Sequence, residues 1–372
     1  MGNKKVVITG INGFIGKNLH VYLSKISGIE ILGITKNDDK ASIEEKIKCA
    51  EIVYHLAGEN KPKSISDFET NNIRFTQIIL EAIQNSDSVS KLIFSSTIQA
   101  GLDNPYGNSK LEAENLIKIF NSSNNFEAII YRLPNVFGKW GRPNYNSVVS
   151  TFCYNTAIKI PLTIYNEDNK LTLVYIDEVV IEFSKYLRAE LNKGIKYKEV
   201  IPSYETTVGE LASLISSFPH IRKSQMIPDL GNELTKKLYS TFLSYLQPND
   251  FSLSVPVNSD ERGRLFEVIK SKNFGQIFIS YTKPGVTRGN HFHHTKTEKF
   301  CVIKGKGVIR FRSLDTNESI EYPVSGDNPQ IVDIPPGYTH NISNVGDTEM
   351  ITLFWADELF DKKKPDTYPE EV

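Results

Sequence analysis

The sequence predicts an α/β chain in two parts, a doubly wound parallel sheet followed by an all-β jelly-roll barrel. Three observations carry this. From residue 1 to about 180, short apolar runs alternate with longer amphipathic stretches. After Asp250 the texture changes to short, often alternating runs punctuated by Gly, Pro, Asn and Asp. Between them, the helical pattern Leu234–Leu246 is broken by Gln247, Pro248, Asn249 and Asp250. A single hydrophobic core stops growing at about 250 to 300 residues. At 372 residues the chain is therefore expected to hold two domains, 1–246 and 251–372.

In the first part, Val6–Ile8, Glu30–Ile34, Ile52–Leu56, Lys91–Ser95 and Ala128–Arg132 are near-continuous apolar runs. Runs of this kind suit strands buried on both faces. Gly16–Ile26, Phe68–Gln84 and Ser109–Asn121 lie between them as amphipathic helices, and the βαβ rhythm predicts a parallel sheet with helices on both sides. In the second part, Gln276–Tyr281, Lys299–Ile303, Val308–Arg312, Gln330–Ile334 and Met350–Trp355 read as antiparallel strands of a jelly roll.

Composition narrows the function classes. Lys plus Arg total 43 against 44 for Asp plus Glu, so no global field recruits nucleic acid or anionic membrane. A small, diffusible partner is expected instead. The chain passes from M-G-N-K-K straight into a strand pattern, and no window approaches 18 consecutive apolar residues, so a cytoplasmic protein without signal peptide or membrane span is expected. Cys49, Cys153 and Cys301 are odd in number and far apart, unlike a disulfide framework.

The first strand runs into T-G-I-N-G-F-I-G, with Gly10, Gly13 and Gly16 at the turn and Phe14 and Ile15 between the last two. Glycine lets the backbone turn tightly and approach a pyrophosphate, and the helix that follows offers free N–H groups and positive partial charge. An acidic residue about 20 positions on would bind the ribose 2′-hydroxyl of NAD. Here the second strand ends in Thr35 and Lys36, followed by Asp38 and Asp39. A neutral residue and a cation tolerate a 2′-phosphate, so NADPH is the expected cofactor.

Tyr106-Gly-Asn-Ser-Lys110 places a phenol and an ammonium four residues apart, on one face of a helix. A nearby cation favours phenolate and would lower the tyrosine pKa, making it a proton donor usable near neutrality. Ser95, Ser96 and Thr97 close the strand just upstream, where a hydroxyl could bond the same substrate oxygen.

Together with H-L-A-G at 55–58, Asn72, F-S-S-T at 94–97, R-L-P-N-V-F-G at 132–138 and V-Y-I-D-E-V-V at 174–180, these motifs resemble the extended short-chain dehydrogenase/reductase family. The resembling branch modifies nucleotide sugars. The resemblance implies a Rossmann-type domain in which the glycine turn and Leu56, Ala57 and Gly58 border the cofactor. It implies that Tyr106 protonates the sugar oxygen, that Lys110 holds the nicotinamide ribose and tunes Tyr106, and that Thr97 or Ser96 orients the carbonyl. Asn135 and the residues after it would line the sugar-nucleotide pocket, with Arg142 a candidate for the diphosphate. Only eight residues separate Thr97 from Tyr106, which implies a more open pocket, and Thr97 stands where serine is commoner.

Histidine is scarce, seven in all, yet His291, His293, His294 and His340 fall in the last quarter. On an alternating strand, 291 and 293 project to one face, so two imidazoles can reach one ion. Glu298 adds an oxygen from the next strand, and His340 follows a Pro-Gly turn that could bring its strand alongside. Three nitrogens and a carboxylate suit Zn, Mn, Fe, Ni or Co, and spacing alone does not choose among them; zinc is the ion expected. His294 points to the opposite face and reads as a surface histidine. The spacing Gly285, His291, His293, Glu298, Gly305, followed by Pro335, Gly337, His340 and Asn344, resembles the two motifs of the cupin family, although the glycine expected further upstream is displaced to about Gly326.

The segment D-E-R-G-R-L-F-E at 260–267 resembles the entry segment of deoxysugar epimerases, with Arg262, Arg264 and Glu267 as substrate-binding candidates. A reductase joined to such a barrel resembles the CapF-type bifunctional enzymes of capsular polysaccharide synthesis. That resemblance implies C3 epimerisation of a UDP-2-acetamido-2,6-dideoxy-4-hexulose by the cupin domain. NADPH-dependent C4 reduction then gives UDP-N-acetyl-6-deoxytalosamine, a precursor of UDP-N-acetyl-L-fucosamine. In a second reading the enzyme is only a C4 reductase, and the cupin is a dimerisation and metal-binding module. Cupin barrels often pair through their strands, so a homodimer is expected.

Overall fold

The computed structural model describes residues 4–124, 126–224, 226–255, 258–260, 263–265, 276–358 and 363–372. The chain packs as two compact units. One comprises Met1–Phe137, Tyr145–Ser147 and Leu171–Glu205; the other comprises Gly138–Asn144, Val148–Lys170 and Thr206–Val372.

In the first unit, β1 (Lys4–Thr9), β2 (Ile29–Ile34), β3 (Ile52–His55), β4 (Lys91–Thr97), β5 (Glu127–Leu133) and the strand Gly194–Lys198 form one sheet. Its order is β2-β1-β3-β4-β5 followed by Gly194–Lys198, and every neighbouring pair is parallel. Apolar residues occur at successive positions because both faces are covered. Val7, Val53, Leu92 and Ala128 pack with Ile43 and Ile47 of α2 (Lys40–Lys48) and with Ile79 and Ala113. On the other face, Tyr54 and Tyr131 meet Phe183 of the helix Ile176–Ser184. Since β1 neighbours both β2 and β3, the winding reverses between β1 and β3. Ligands of open α/β sheets bind at such a switch point, outside the carboxyl ends of the strands.

In the second unit, two five-stranded sheets pair antiparallel throughout. One runs Ser252–Ser254, Gln330–Ile334, Glu298–Lys304, Met350–Ala356, Gln276–Thr282. The other runs Ser319–Ser325, Lys306–Ser313, Tyr338–Asn344, Thr287–Phe292, Tyr368–Pro369. Their inner faces meet where the Phe300 ring lies 5.7 Å from that of His340.

The outer face of the first of these sheets is covered by helices Val208–Lys223 and Glu233–Leu243. Buried Asp333 binds Arg222 from the first helix and Lys299 from the neighbouring strand, and Ser240 of the second helix donates to the Thr295 carbonyl at 3.0 Å. The change of texture at 247–250 marks where helical sequence gives way to strands. The packing units are cut elsewhere, because a sheet carrying Lys299, Cys301 and Trp355 outward needs cover and residues 206–246 supply it. Among the described residues, no helix is long and apolar enough to cross a membrane.

Candidate active sites

The glycine turn stands at the β1/β3 switch point. Gly10 has φ +65°, and a Cβ there would lie 2.9 Å from the Ala57 Cα. A Cβ on Gly16 would lie 2.2 Å from the Gly10 carbonyl oxygen, so helix and turn touch backbone to backbone. Helix α1 (Phe14–Leu23) starts from Gly13 with no side-chain cap and no acidic residue in its first turn. The amides of Phe14, Ile15 and Gly16 therefore begin a helix whose positive end meets, among the described residues, neither a capping side chain nor a first-turn acid. This suits a pyrophosphate.

At the end of β2, both carboxylates are engaged by the chain itself. Asp38 accepts from the Thr35 backbone and hydroxyl at 2.8 and 3.0 Å and from Lys46. Its pKa is held well below the carboxylate range, chiefly by Lys46. Asp39 caps α2 through the Ser42 amide at 2.8 Å. Lys36 is exposed between them and the strand.

Thr97 ends β4, and Tyr106 stands in the first turn of the helix Pro105–Asn124, one turn before Lys110. Tyr106 hydrogen-bonds Thr97; burial raises its pKa and that bond opposes the rise. The expected lowering by Lys110 is not what the structure gives. The ammonium lies 4.2 Å from the centre of the Phe94 ring, beside Gly58, where a Cβ would sit 3.6 Å from Nζ. Burial pulls Lys110 itself down to about 7, partly offset by Glu114. Ser96 does not share the position of Thr97, since its hydroxyl donates to the fully buried Glu114 at 2.5 Å.

A polar chain missed by the sequence reading fixes these groups. Thr76 donates to the Asn72 carbonyl, so its oxygen accepts from His55 Nε2, while the Thr9 hydroxyl meets Nδ1 at 2.9 Å. Thr9 in turn accepts the Leu56 and Ala57 amides. His55 is thus a fully bonded neutral imidazole, its pKa pushed by burial to about 3. Asn72, in the π-helical stretch Glu69–Arg74, holds Glu59 by both backbone groups and donates to Ser109, which donates to the Tyr106 carbonyl. A π turn inside a helix frequently marks a functional site. Asn72 belonged to the resembling motifs, but its partners are brought together only by folding.

Of the substrate candidates, Asn135 is exposed in the first unit and donates to the Thr172 carbonyl at 3.3 Å. Arg142 is exposed in the second unit. Arg262 and Glu267 lie outside the described residues, and for Arg264 only the backbone of the strand Gly263–Leu265 is described.

In the second unit, the candidate ligand atoms of His291, His293, Glu298 and His340 all lie within 4.8 Å of one another. His291 pairs directly with His340 across adjacent strands, after a bulge between Gly289 and His291. Bulges commonly re-aim side chains beside active sites. Nε2 of His293 and of His340 lie 3.3 and 3.5 Å from Glu298 Oε2. Both are buried without a hydrogen bond of acceptable geometry among the described residues. Burial, with its histidine neighbours, pushes His291 to about 3, leaving a neutral imidazole with a lone pair. Unsatisfied nitrogens converging on one carboxylate fit a divalent ion. His294 departs from expectation: only 7% exposed, it packs between Phe292 and Tyr368 at 5.3 and 4.8 Å, because the C-terminal strand covers it.

Residues 6–198 match the NAD dependent epimerase/dehydratase family, and residues 258–368 match the polysaccharide biosynthesis C-terminal domain. The chain is 42% identical over 364 residues, 98% of each chain, to a UDP-2-acetamido-2,6-beta-L-arabino-hexul-4-ose reductase of Pseudomonas aeruginosa. Among solved structures it is similar to the capsular polysaccharide assembling protein CapF of Staphylococcus aureus. That match has 41% identity and a TM-score of 0.67, covering 99% of this chain and 100% of that one. A UDP-glucuronic acid 4-epimerase of Bacillus cereus, 21% identical with a TM-score of 0.53, shares the fold over 58% of this chain and 84% of its own. The chain therefore belongs to the NAD dependent epimerase/dehydratase family, among the CapF-type enzymes that carry a polysaccharide biosynthesis C-terminal domain.

Proposed function

We propose that this chain is a cytoplasmic bifunctional enzyme of capsular polysaccharide synthesis. Its C-terminal cupin epimerises C3 of a UDP-2-acetamido-2,6-dideoxy-4-hexulose, and its N-terminal domain then reduces C4. The observation that carries the reading is the hydrogen-bonded pair Thr97–Tyr106 beside buried Lys110, in a chain that also gathers three histidines and a glutamate. The reductase named above, similar over 98% of both chains, supports the substrate class.

In the reduction, NADPH supplies the hydride when bound. Tyr106 donates its proton to the C4 oxygen as charge develops there, and the Thr97 hydroxyl holds that oxygen in line. Lys110, packed by Gly58 and Phe94, would hold the nicotinamide ribose. Preference for the 2′-phosphate is supported by exposed Lys36 and by the engagement of Asp38 and Asp39 elsewhere.

In the epimerisation, the C4 carbonyl acidifies the neighbouring C3–H. Proton loss gives an enolate, and return of a proton to the opposite face inverts C3. His291, His293, Glu298 and His340 would hold a divalent ion, zinc foremost, which when bound supplies Lewis acidity toward the enolate oxygen. Because the ketone must survive until C3 is inverted, epimerisation precedes reduction. A homodimer is supported by the strand Gln276–Thr282, which lies at a sheet edge with Ile277, Ile279 and Tyr281 exposed.

An NMR time course in heavy water with the 4-keto UDP-sugar and NADPH tests the scheme. Deuterium should enter C3 before C4 is reduced. Tyr106→Phe should abolish NADPH oxidation and leave exchange at C3 intact. Loss of both together would contradict the division of labour.

A further inference from the structure

We propose that residues 366–371 form a clamp that sets the geometry of the metal-binding histidines, with Asp366 as its positioning residue. The inference rests on the metal reading above and assigns a role to a segment that contributes no ligand.

Asp366 makes two kinds of contact with the ligand strand. Its backbone carbonyl lies 2.6 Å from His293 Nδ1. A carbonyl only accepts, so Nδ1 carries the hydrogen and the lone pair of the neutral ring sits on Nε2, the atom 3.3 Å from Glu298. Its carboxylate takes the amides of His294, Thr295 and Lys296 at 3.0, 2.9 and 2.6 Å and the Thr295 hydroxyl at 2.9 Å. Those three residues lie in the four-residue link between His293 and Glu298. One carboxylate therefore fixes the link between two ligands, while the carbonyl beside it fixes the tautomer of the first.

The rest of the segment reaches the other two ligands. Pro369 and Tyr368 pair with His291 and Phe292 as an added strand. The Glu370 amide donates to the Asn290 carbonyl at 2.8 Å, at the bulge that precedes His291. The Glu370 carbonyl accepts from the Thr339 hydroxyl at 2.6 Å, next to His340. Arg312 anchors the far end through Glu370 Oε1 and the Glu371 carbonyl, at 2.9 and 2.7 Å. The segment thus contacts His291 and His293 directly, the residue before His340, and the link that leads to Glu298. Hydrogen-bond partners that orient ligating histidines typically change metal affinity 10- to 100-fold when removed.

Co²⁺ is the probe, added to the full chain after chelator treatment and read by its visible absorption and by chelator competition. Asp366→Ala should weaken Co²⁺ binding roughly 10- to 100-fold and shift the absorption bands, while circular dichroism and NADPH binding stay as in the parent. Asp366→Asn, which keeps one acceptor oxygen, should fall between the two. Thr339→Val should shift the bands from the far end of the clamp. If Asp366→Ala loses its fold, the Asp366→Asn and Thr339→Val chains decide. Folded variants with parental Co²⁺ affinity and spectrum overturn the clamp alone. A parent chain that takes up no Co²⁺ overturns the metal reading, and the clamp with it.

Discussion

The hydroxyl of Ser96 donates to Oε1 of Glu114 at 2.5 Å, and that carboxylate has no exposed surface. Arg132 binds both oxygens of Glu114, and the Tyr197 hydroxyl donates to Oε2. Ser96 is thus part of a network around buried Glu114 that ties β4 to β5 and to the helix Pro105–Asn124, which leaves Thr97 to meet Tyr106.

The two neighbouring hydroxyls should therefore separate cleanly on mutation. Thr97→Val is expected to lower kcat of the reduction by roughly 10²- to 10³-fold, the scale of one lost oxyanion donor. Ser96→Ala should leave kcat within a few-fold and instead cost about 1–2 kcal/mol of stability. Steady-state kinetics beside denaturant unfolding checks both.

Lys110 gives a pH dependence whose sign follows from burial. Its folded pKa, about 7, is below the ordinary lysine value of 10.5. The unfolded chain therefore binds more protons between these values. Stability is full above the unfolded pKa and is lost as pH falls through the folded one, with a slope of up to about 1.4 kcal/mol per pH unit. Lys110→Met should flatten that part of the profile in urea unfolding of the cofactor-free chain between pH 7 and 10. An unchanged slope would mean that Lys110 is not the group responsible.

Lys36 is the exposed cation at the end of β2, and the nearby carboxylates face the chain itself. Lys36→Ala should weaken NADPH roughly five-fold while leaving NADH unchanged, since an exposed ion pair contributes about 1 kcal/mol. Titration of both cofactors at low and high salt measures it, and the difference should shrink with salt.

Asp333 is the shared partner of two buried cations, Arg222 and Lys299. Asp333→Asn leaves both charges without their carboxylate, which is expected to cost about 3–5 kcal/mol. The loss should appear as earlier thermal unfolding of the C-terminal unit, with NADPH binding by the N-terminal unit preserved at lower temperature. Coincident loss of both would show that the two units do not unfold separately.

Much of this was legible in the chain. Buried strands announce themselves by consecutive apolar residues, so β1, β3, β4 and β5 fall where the runs stand, to within one or two residues. The glycine turn and the trio His291, His293 and Glu298 are readable because each packs its requirement into a short spacing, His340 comes from a second motif after a Pro-Gly turn, and the structure gathers all four side chains. His294 was misread as a surface residue because strand alternation reports only which face a side chain takes. It cannot report that Tyr368, 74 positions further on, covers that face.

The sequence by itself determined the two architectures, the glycine turn after β1, the Tyr106–Lys110 pair and most of the histidine–glutamate cluster. These depend on local periodicity and short-range spacing. Only the tertiary structure decided that Thr97 rather than Ser96 faces Tyr106, that Lys110 is tuned by burial beside Phe94, and that Asp366 closes on His293. Each of these turns on a partner distant in the chain, and on which groups lose water when the strands and helices pack. No local pattern encodes that.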